Sequence, residues 1–292
     1  MLKPKYLKIK DFDRKKYLKT LNLIKKHNLN TVCLSANCPN RYHCFSSGTA
    51  TFMILGEVCT RNCRYCNIES KKPEEVDKKE PERLALAVKK LSLDYVVVTS
   101  VTRDDLEDGG SNHFINCISE IRKNNDSKIE VLIPDFKGDE LALEKLVKVK
   151  PEIINHNIET VKELFSALRP QGDYNRSLFL LSNIKNINSD IITKSGLMVG
   201  LGETKAQILK TLKDLRDAKV DIITIGQYLA PSTKHAKVEK YYSELEFLKL
   251  KNIAKEIGFK EVISGPMVRS SYKAKEAYEK VANTRDNRRK RS

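Results

Sequence analysis

Six of the seven cysteines in this 292-residue chain fall between positions 33 and 66, in two triplets of unlike spacing. The first is Cys33-x4-Cys38-x5-Cys44 and the second is Cys59-x3-Cys63-x2-Cys66. Three thiolates in one short loop can hold three corners of an iron–sulfur cube and leave the fourth iron to another ligand. Two such triplets side by side imply two clusters, and therefore redox chemistry. Zinc is the rival metal, but it favours four closed ligands, often as paired C-x2-C units. A disulfide framework suits small secreted domains. Here the rest of a long chain holds one further cysteine, Cys117.

No apolar stretch approaches the ~20 residues needed to cross a bilayer. The basic start has no apolar run behind it, and Asp11 and Asp13 weigh against a transit peptide. A cytoplasmic protein is expected, and in that reducing compartment clustered cysteines bind metal or do catalysis. The formal charge of +16 points to an acidic partner. The lysines are spread along the whole chain rather than gathered in one stripe with interleaved aromatics. Charge alone does not separate nucleic acid from an acidic protein. Hydrophobic residues at 40% and charged ones at 32% exclude a disordered chain.

There are no internal repeats. The chain divides into an N-terminal arm (1–50), a β/α body (51–230) and a C-terminal extension (231–292). Six apolar, β-branched runs in the body predict strands at 51–57, 94–99, 128–133, 152–157, 191–200 and 221–227. Amphipathic stretches at 81–91, 114–124 and 208–219 predict helices between them. Such alternation predicts right-handed βαβ units and a parallel sheet, an α/β fold of the partial (β/α)6 barrel kind. Polar and Gly-rich loops follow five of the strands, which places the chemistry on the face at the strand C-termini.

The second triplet, with Tyr65 before its last cysteine and at the tip of the first strand, resembles the radical S-adenosylmethionine (SAM) superfamily. The resemblance implies that Cys59, Cys63 and Cys66 hold a [4Fe-4S] cluster. Its open iron would bind SAM, which is cleaved to a 5′-deoxyadenosyl radical that abstracts hydrogen from an unactivated carbon. The first triplet, Cys33-Leu-Ser-Ala-Asn-Cys38-Pro-Asn-Arg-Tyr-His-Cys44, narrows the resemblance to the lipoyl synthase family. Thr99 to Gly110, Asn155-His-Asn-Ile-Glu-Thr160, Gly226-Gln-Tyr-Leu229 and Gly265-Pro-Met-Val-Arg-Ser-Ser-Tyr272 agree. The similarity covers about residues 3–275.

That family implies a second, auxiliary [4Fe-4S] cluster held by Cys33, Cys38, Cys44 and Ser271. It implies that the two extensions close over the barrel mouth. It also implies insertion of sulfur at C6 and C8 of an octanoyl chain carried on a lysine of a lipoyl-carrier protein or domain. Expected partners are that carrier, an electron donor and iron–sulfur assembly or carrier proteins, without nucleic acid or membrane. The alternatives are another radical SAM sulfur-inserting enzyme and a zinc-stabilised, basic nucleic-acid-binding protein. The chain departs from the family pattern at Ser35, Phe45 and Lys237, where Glu, Trp and Pro are usual.

Tyr65, Asn157 and Glu159 are candidate SAM contacts, and His113 and His156 are candidate contacts to SAM or substrate. Met198 to Glu203 resembles the Gly-rich stretch that packs near adenine in this superfamily. Cys117 fits an apolar helix pattern and is expected in the core. His27 is expected on a solvated helix surface, and His43 in a loop beside Cys44. Asp104, Asp105 and Asp108 can serve as helix-start carboxylates. Residues 285–291 are expected to be a solvated, disordered tail.

Overall fold

The six apolar runs form parallel strands: β2 (Thr51–Ile54), β5 (Tyr95–Ser100), β6 (Lys128–Leu132), β7 (Ile153–Asn155), β8 (Ile192–Val199) and β9 (Ile222–Gln227). The structure, a computed structural model, describes residue 4 and residues 12–289. Helices α4 (Glu80–Lys90), α5 (Ser111–Asn124), α6 (Glu140–Lys148), α7 (Lys162–Leu168), α8 (Tyr174–Ile187) and α9 (Lys205–Asp217) connect them. Each connection returns to a parallel neighbour, in the order β2-β5-β6-β7-β8-β9.

The sheet is larger than the sequence suggested. After α10 (Glu244–Ile257), β10 (Glu261–Gly265) adds a seventh parallel strand beside β9. At the other edge, β1 (Asn30–Thr31) pairs antiparallel with β2. β1 and β10 are the two edges, so the barrel is partial. The N-terminal segment supplies α1 (Arg14–Lys26), α2 (Val32–Ser35) and α3 (Arg41–Ser46).

Alternation along the strands divides their side chains between two faces. Val96, Val98, Ile129, Val131, Ile154, Leu197, Ile223 and Ile225 join the main core. There they meet Leu84, Ile118, Leu146, Leu181 and Leu212 from the helices. The opposite row includes Tyr95, Val97, Ile153, Ile192 and Ile222, and it packs against Ala274, Ala277 and Val281 of α11 (Ala274–Arg289). On the same row Lys194 and Glu130 form a fully buried 2.8 Å ion pair. Tyr95 donates to the second Glu130 oxygen at 2.7 Å. The helix runs to Arg289, so 285–289 continue it instead of forming a disordered tail. The last residues of that expected tail, from 290, lie outside the described residues.

Candidate active site

The second triplet sits in a loop between two short parallel strands, β3 (Val58–Cys59) and β4 (Glu69–Ser70). Backbone N–H groups of Arg61 and Ile68 point at the Cys59 and Cys66 sulfurs, at 3.4 and 3.5 Å. Such donors favour the thiolate. The loop is anchored on several sides. Thr60 donates to the Thr102 carbonyl, and Arg64 N–H to that of Leu168. Arg61 forks onto Asp104 at 2.7 and 2.9 Å and reaches Asp135 at 2.6 Å. His235 Nε2 lies 3.0 Å from the Cys66 carbonyl, and Ala236 N–H donates to Arg64 at 2.8 Å.

The first triplet spans α2, the turn after it and α3. Cys38 N–H donates to the Cys33 carbonyl at 3.1 Å. Phe45, which replaces the family's usual Trp, is wholly buried and stacks on Tyr17. Thr20 donates to the Phe45 carbonyl at 2.8 Å, which fixes α3 against α1. Two hydrogen bonds tie this region to its neighbours. Asn67 of the second loop donates to the Ser35 carbonyl at 2.9 Å, and Asn40 donates to that of Met267 at 2.7 Å. The second bond joins the first triplet to the segment that carries Ser271.

That segment leaves β10 at Gly265 and crosses β9 closely. A Cβ at position 226 would lie 2.2 Å from the Val268 carbonyl oxygen, so only glycine fits there. The result is a mouth cavity of about 350 Å³ whose walls include Cys33, Cys38, Cys44, Cys66, Tyr65 and Ser271. Burial pushes the Cys33 and Cys66 thiols up to about 12 and that of Cys44 to about 11. Cys63 is also raised by burial. Thiols so placed become thiolates when a cation neutralises them, since a coordinating thiol is deprotonated outright. Among the described residues no three His, Cys, Asp or Glu side chains converge on the spacing of a single metal ion. Soft sulfur donors spread around a cavity fit an iron–sulfur cluster, whose irons are separate centres.

Beside the second triplet lies a buried polar group. Asn157 donates to Glu159 at 3.1 Å, and Arg169 donates to the Asn157 carbonyl at 3.1 Å. Arg169 and Glu159 both act electrostatically on Cys63 and on Tyr65. Burial raises the Glu159 carboxyl, and Arg169 partly offsets it. Two buried atoms in the group have no partner, Asn157 Oδ1 and Arg169 Nε. A Cβ on Gly196 would come within 2.7 Å of Asn157 Oδ1, so the small residue keeps that oxygen clear. Tyr65 packs with Leu168, Leu201, Tyr228 and Met198.

Several sequence expectations change. His113 is buried and lies 2.7 Å from Glu80, whose carboxylate also accepts the Leu55 N–H. His156 is 1% exposed, between the Ile133 carbonyl and the Ser177 hydroxyl. Both lie in the core: His156 spends both ring nitrogens on protein partners, and His113 spends Nε2 on Glu80. His27 is buried as the cap of α1, not solvated. Of the three carboxylates only Asp108 serves a helix start, accepting from Gly110 and Asn112. Asp104 pairs with Arg61, and Asp105 with Arg103. Within Met198 to Glu203, only Met198 lines the mouth, while Glu203 caps the turn through the N–H groups of Gly200 and Leu201. Cys117 is fully buried, as expected. Sequence reasoning missed Arg61 and Arg169. Their roles show only in the folded contacts, Arg61 with Asp104 and Asp135, and Arg169 with Asn157 beside Cys63 and Tyr65.

The sequence pattern of the Radical SAM superfamily matches residues 53–215. A protein described as lipoyl synthase from Caldicellulosiruptor saccharolyticus is 52% identical over 275 residues, 94% of this chain and 96% of that protein. One of the same description from Wigglesworthia glossinidia brevipalpis is 53% identical over 275 residues, 93% and 87% of the two chains. Among solved structures, HydG, a maturase of the [FeFe]-hydrogenase, aligns with a TM-score of 0.58 at 16% identity, over 91% of this chain and 67% of that one. Methylornithine synthase (PylB) aligns with a TM-score of 0.55 at 13% identity, over 88% and 80%. At such identities the structural likeness speaks for the fold alone.

Proposed function

This chain belongs to the lipoyl synthase family of the radical SAM superfamily, and from that premise we propose how its residues divide the work. The enzyme is a sulfurtransferase. It inserts two sulfur atoms, at C6 and C8 of a protein-bound octanoyl chain, to give the lipoyl cofactor. SAM and a [4Fe-4S] cluster are its cofactors. Membership over nearly the whole chain sets aside both alternatives weighed on the sequence.

In this proposal Cys59, Cys63 and Cys66 hold the SAM cluster, and Cys33, Cys38, Cys44 and Ser271 hold a second, auxiliary cluster. The bound cofactors supply the electron that cleaves SAM, the radical that abstracts hydrogen and the sulfur that is inserted. The chain's own part is placement and exclusion. Arg61 locks the loop of the second triplet to the barrel through Asp104 and Asp135. Asn67 holds the two cysteine regions together through Ser35. Arg169 offers its free Nε to the SAM carboxylate. Asn157 offers its free Oδ1, and with Glu159 binds the amino or hydroxyl groups of SAM. Tyr65 contributes apolar area beside them. The described parts of the arm (1–50) and of the C-terminal extension (231–292) act as covers of the 51–230 body, and they keep water from the mouth.

Ser is a harder and weaker donor to iron than a thiolate, which suits a centre meant to come apart. The +16 charge favours an acidic carrier domain. An electron donor and iron–sulfur assembly proteins complete the partners, and the compartment is the cytoplasm. Among the described residues no helix is long and apolar enough to cross a membrane.

The observation that carries the two-cluster reading is the single cavity shared by Cys33, Cys38, Cys44, Cys66 and Ser271. The test is mass spectrometry of an octanoylated carrier peptide after anaerobic incubation with reconstituted protein, SAM and reductant. A peptide that gains two sulfurs, from protein holding about eight irons for two four-iron clusters, supports the reading. Full activity from protein holding half that iron sinks the second cluster.

A further inference from the structure

A second cavity, of about 320 Å³, lies behind the first triplet. It shares Cys33, Cys44, Thr51, Ser271 and Tyr272 with the mouth cavity, so three of the four proposed auxiliary ligands stand in the wall between the two spaces. None of Cys59, Cys63, Cys66, Tyr65, Asn157 or Glu159 lines it. Its far side is formed by the turn after α4, from Leu91 to Asp94, by Tyr95 and Val97 of β5, and by the first turn of α11. The auxiliary ligands can therefore be approached from a side that does not pass the SAM site.

We propose that this side cavity is the route by which iron and sulfide reach and leave the auxiliary centre. The proposal rests on the two-cluster reading, because a centre that gives up sulfur to product must be resupplied. A volume of this size holds on the order of ten waters, enough for hydrated ferrous ion or hydrosulfide and too little for a folded donor. The rim carries both signs, with Asp94 and Glu276 against Lys273 and Lys275. A cation and an anion each find a counter-charge there. An exposed ion pair between Lys275 and Asp94, both on the cavity wall, ties the first turn of α11 to the turn just before β5. Lys273, two residues beyond Ser271, sits in the left-handed region at φ 52°, an uncommon conformation for a lysine. The ion pair thus joins two parts of the cavity wall on the Ser271 side.

The experiment uses the full chain with Cys59, Cys63 and Cys66 replaced by Ala, reconstituted anaerobically so that only the first triplet can hold a cluster. Loss of its visible absorbance to EDTA is followed over time, and regain on adding ferrous iron and sulfide is followed after it. In this background Lys275→Ala should speed both by up to about fivefold, the factor equivalent to the roughly 1 kcal/mol of an exposed pair. Ser47→Trp, which fills the rim, should slow both by a similar factor. Ala230→Trp, at the mouth cavity, should change neither. If the parent variant holds no cluster, the two-cluster reading falls and the route falls with it. If it holds one and Lys275→Ala leaves both rates unchanged, or Ala230→Trp is the variant that slows them, the route alone is overturned.

Discussion

Arg61 and Asp135 stand 74 positions apart in sequence and are joined by a buried 2.6 Å ion pair, with side-chain exposures of 3% and 0%. The pair ties the loop of the second triplet to the end of β6. Arg61 is held charged by Asp104 and Asp135 against the cost of burial, and Asp135 is held well below the usual carboxylate range by the same contact. Removing one member of a buried pair strands the other, at about 3–5 kcal/mol. Arg176 still reaches Asp135 at 2.8 Å, which favours the low end here. Arg61→Met should therefore lose about 3 kcal/mol in denaturant unfolding. It should also shed iron from the SAM cluster first, read by iron analysis after anaerobic gel filtration. A variant with parental stability and iron content would rule out the anchoring role.

Ser271→Ala should leave SAM cleavage intact and impair sulfur insertion by about tenfold or more, the scale on which losing even an outer partner of a metal centre costs activity. Release of 5′-deoxyadenosine and of sulfurated peptide are measured in one reaction. Parental rates of both products would show that Ser271 is not a ligand.

The unpartnered Arg169 Nε sets a prediction on binding. A hydrogen bond to a charged group is worth about 1.5–3 kcal/mol. Arg169→Met should then weaken SAM binding about 10- to 100-fold, measured by equilibrium dialysis on reconstituted protein. An unchanged affinity removes Arg169 from the SAM site.

His113 and Glu80 should matter for folding and not for SAM. His113→Ala leaves a buried carboxylate with one partner fewer and should cost about 1–3 kcal/mol. SAM affinity of the folded variant should match the parent. A loss of affinity without a loss of stability would return His113 to the active site.

Burial, with Arg169 nearby, holds the His156 ring down at about 4. The folded protein thus contains the neutral ring, whereas the unfolded chain takes up a proton near pH 6.5. The stability this contributes is fully present above pH 6.5 and is lost as the pH falls toward about 4, on the order of 3 kcal/mol across that interval. His156→Asn should flatten the pH dependence of unfolding by that amount. The difference between the two proteins isolates the histidine from any acid effect on the clusters. Parallel curves would show that the ring is not held neutral.

The strands from β2 to β9 were legible because each is a run of β-branched or aliphatic residues closed by a polar or glycine-rich loop. β10 was not. Glu261-Val-Ile-Ser-Gly265 is short, and only Val262 along it is fully buried, so its apolar signal is too weak to stand out. The cysteines announced themselves through spacing. Arg61 reads locally as a solvated charge between two cysteines, and its partners lie 43 and 74 residues away. The histidines misled for a related reason. A His at the end of a strand looks the same in sequence whether it faces a cavity or, as His156 does, a serine on the neighbouring helix.

The stretch that bears Ser271 is launched from β10, itself hydrogen-bonded to β9, and is pressed against Gly226 on its way across. Its footing is the framework of the sheet rather than a loose tail. If the auxiliary centre is emptied in each round, as proposed, its fourth ligand is carried by the sheet framework, and the protein would then be a refillable cartridge rather than a reagent spent once.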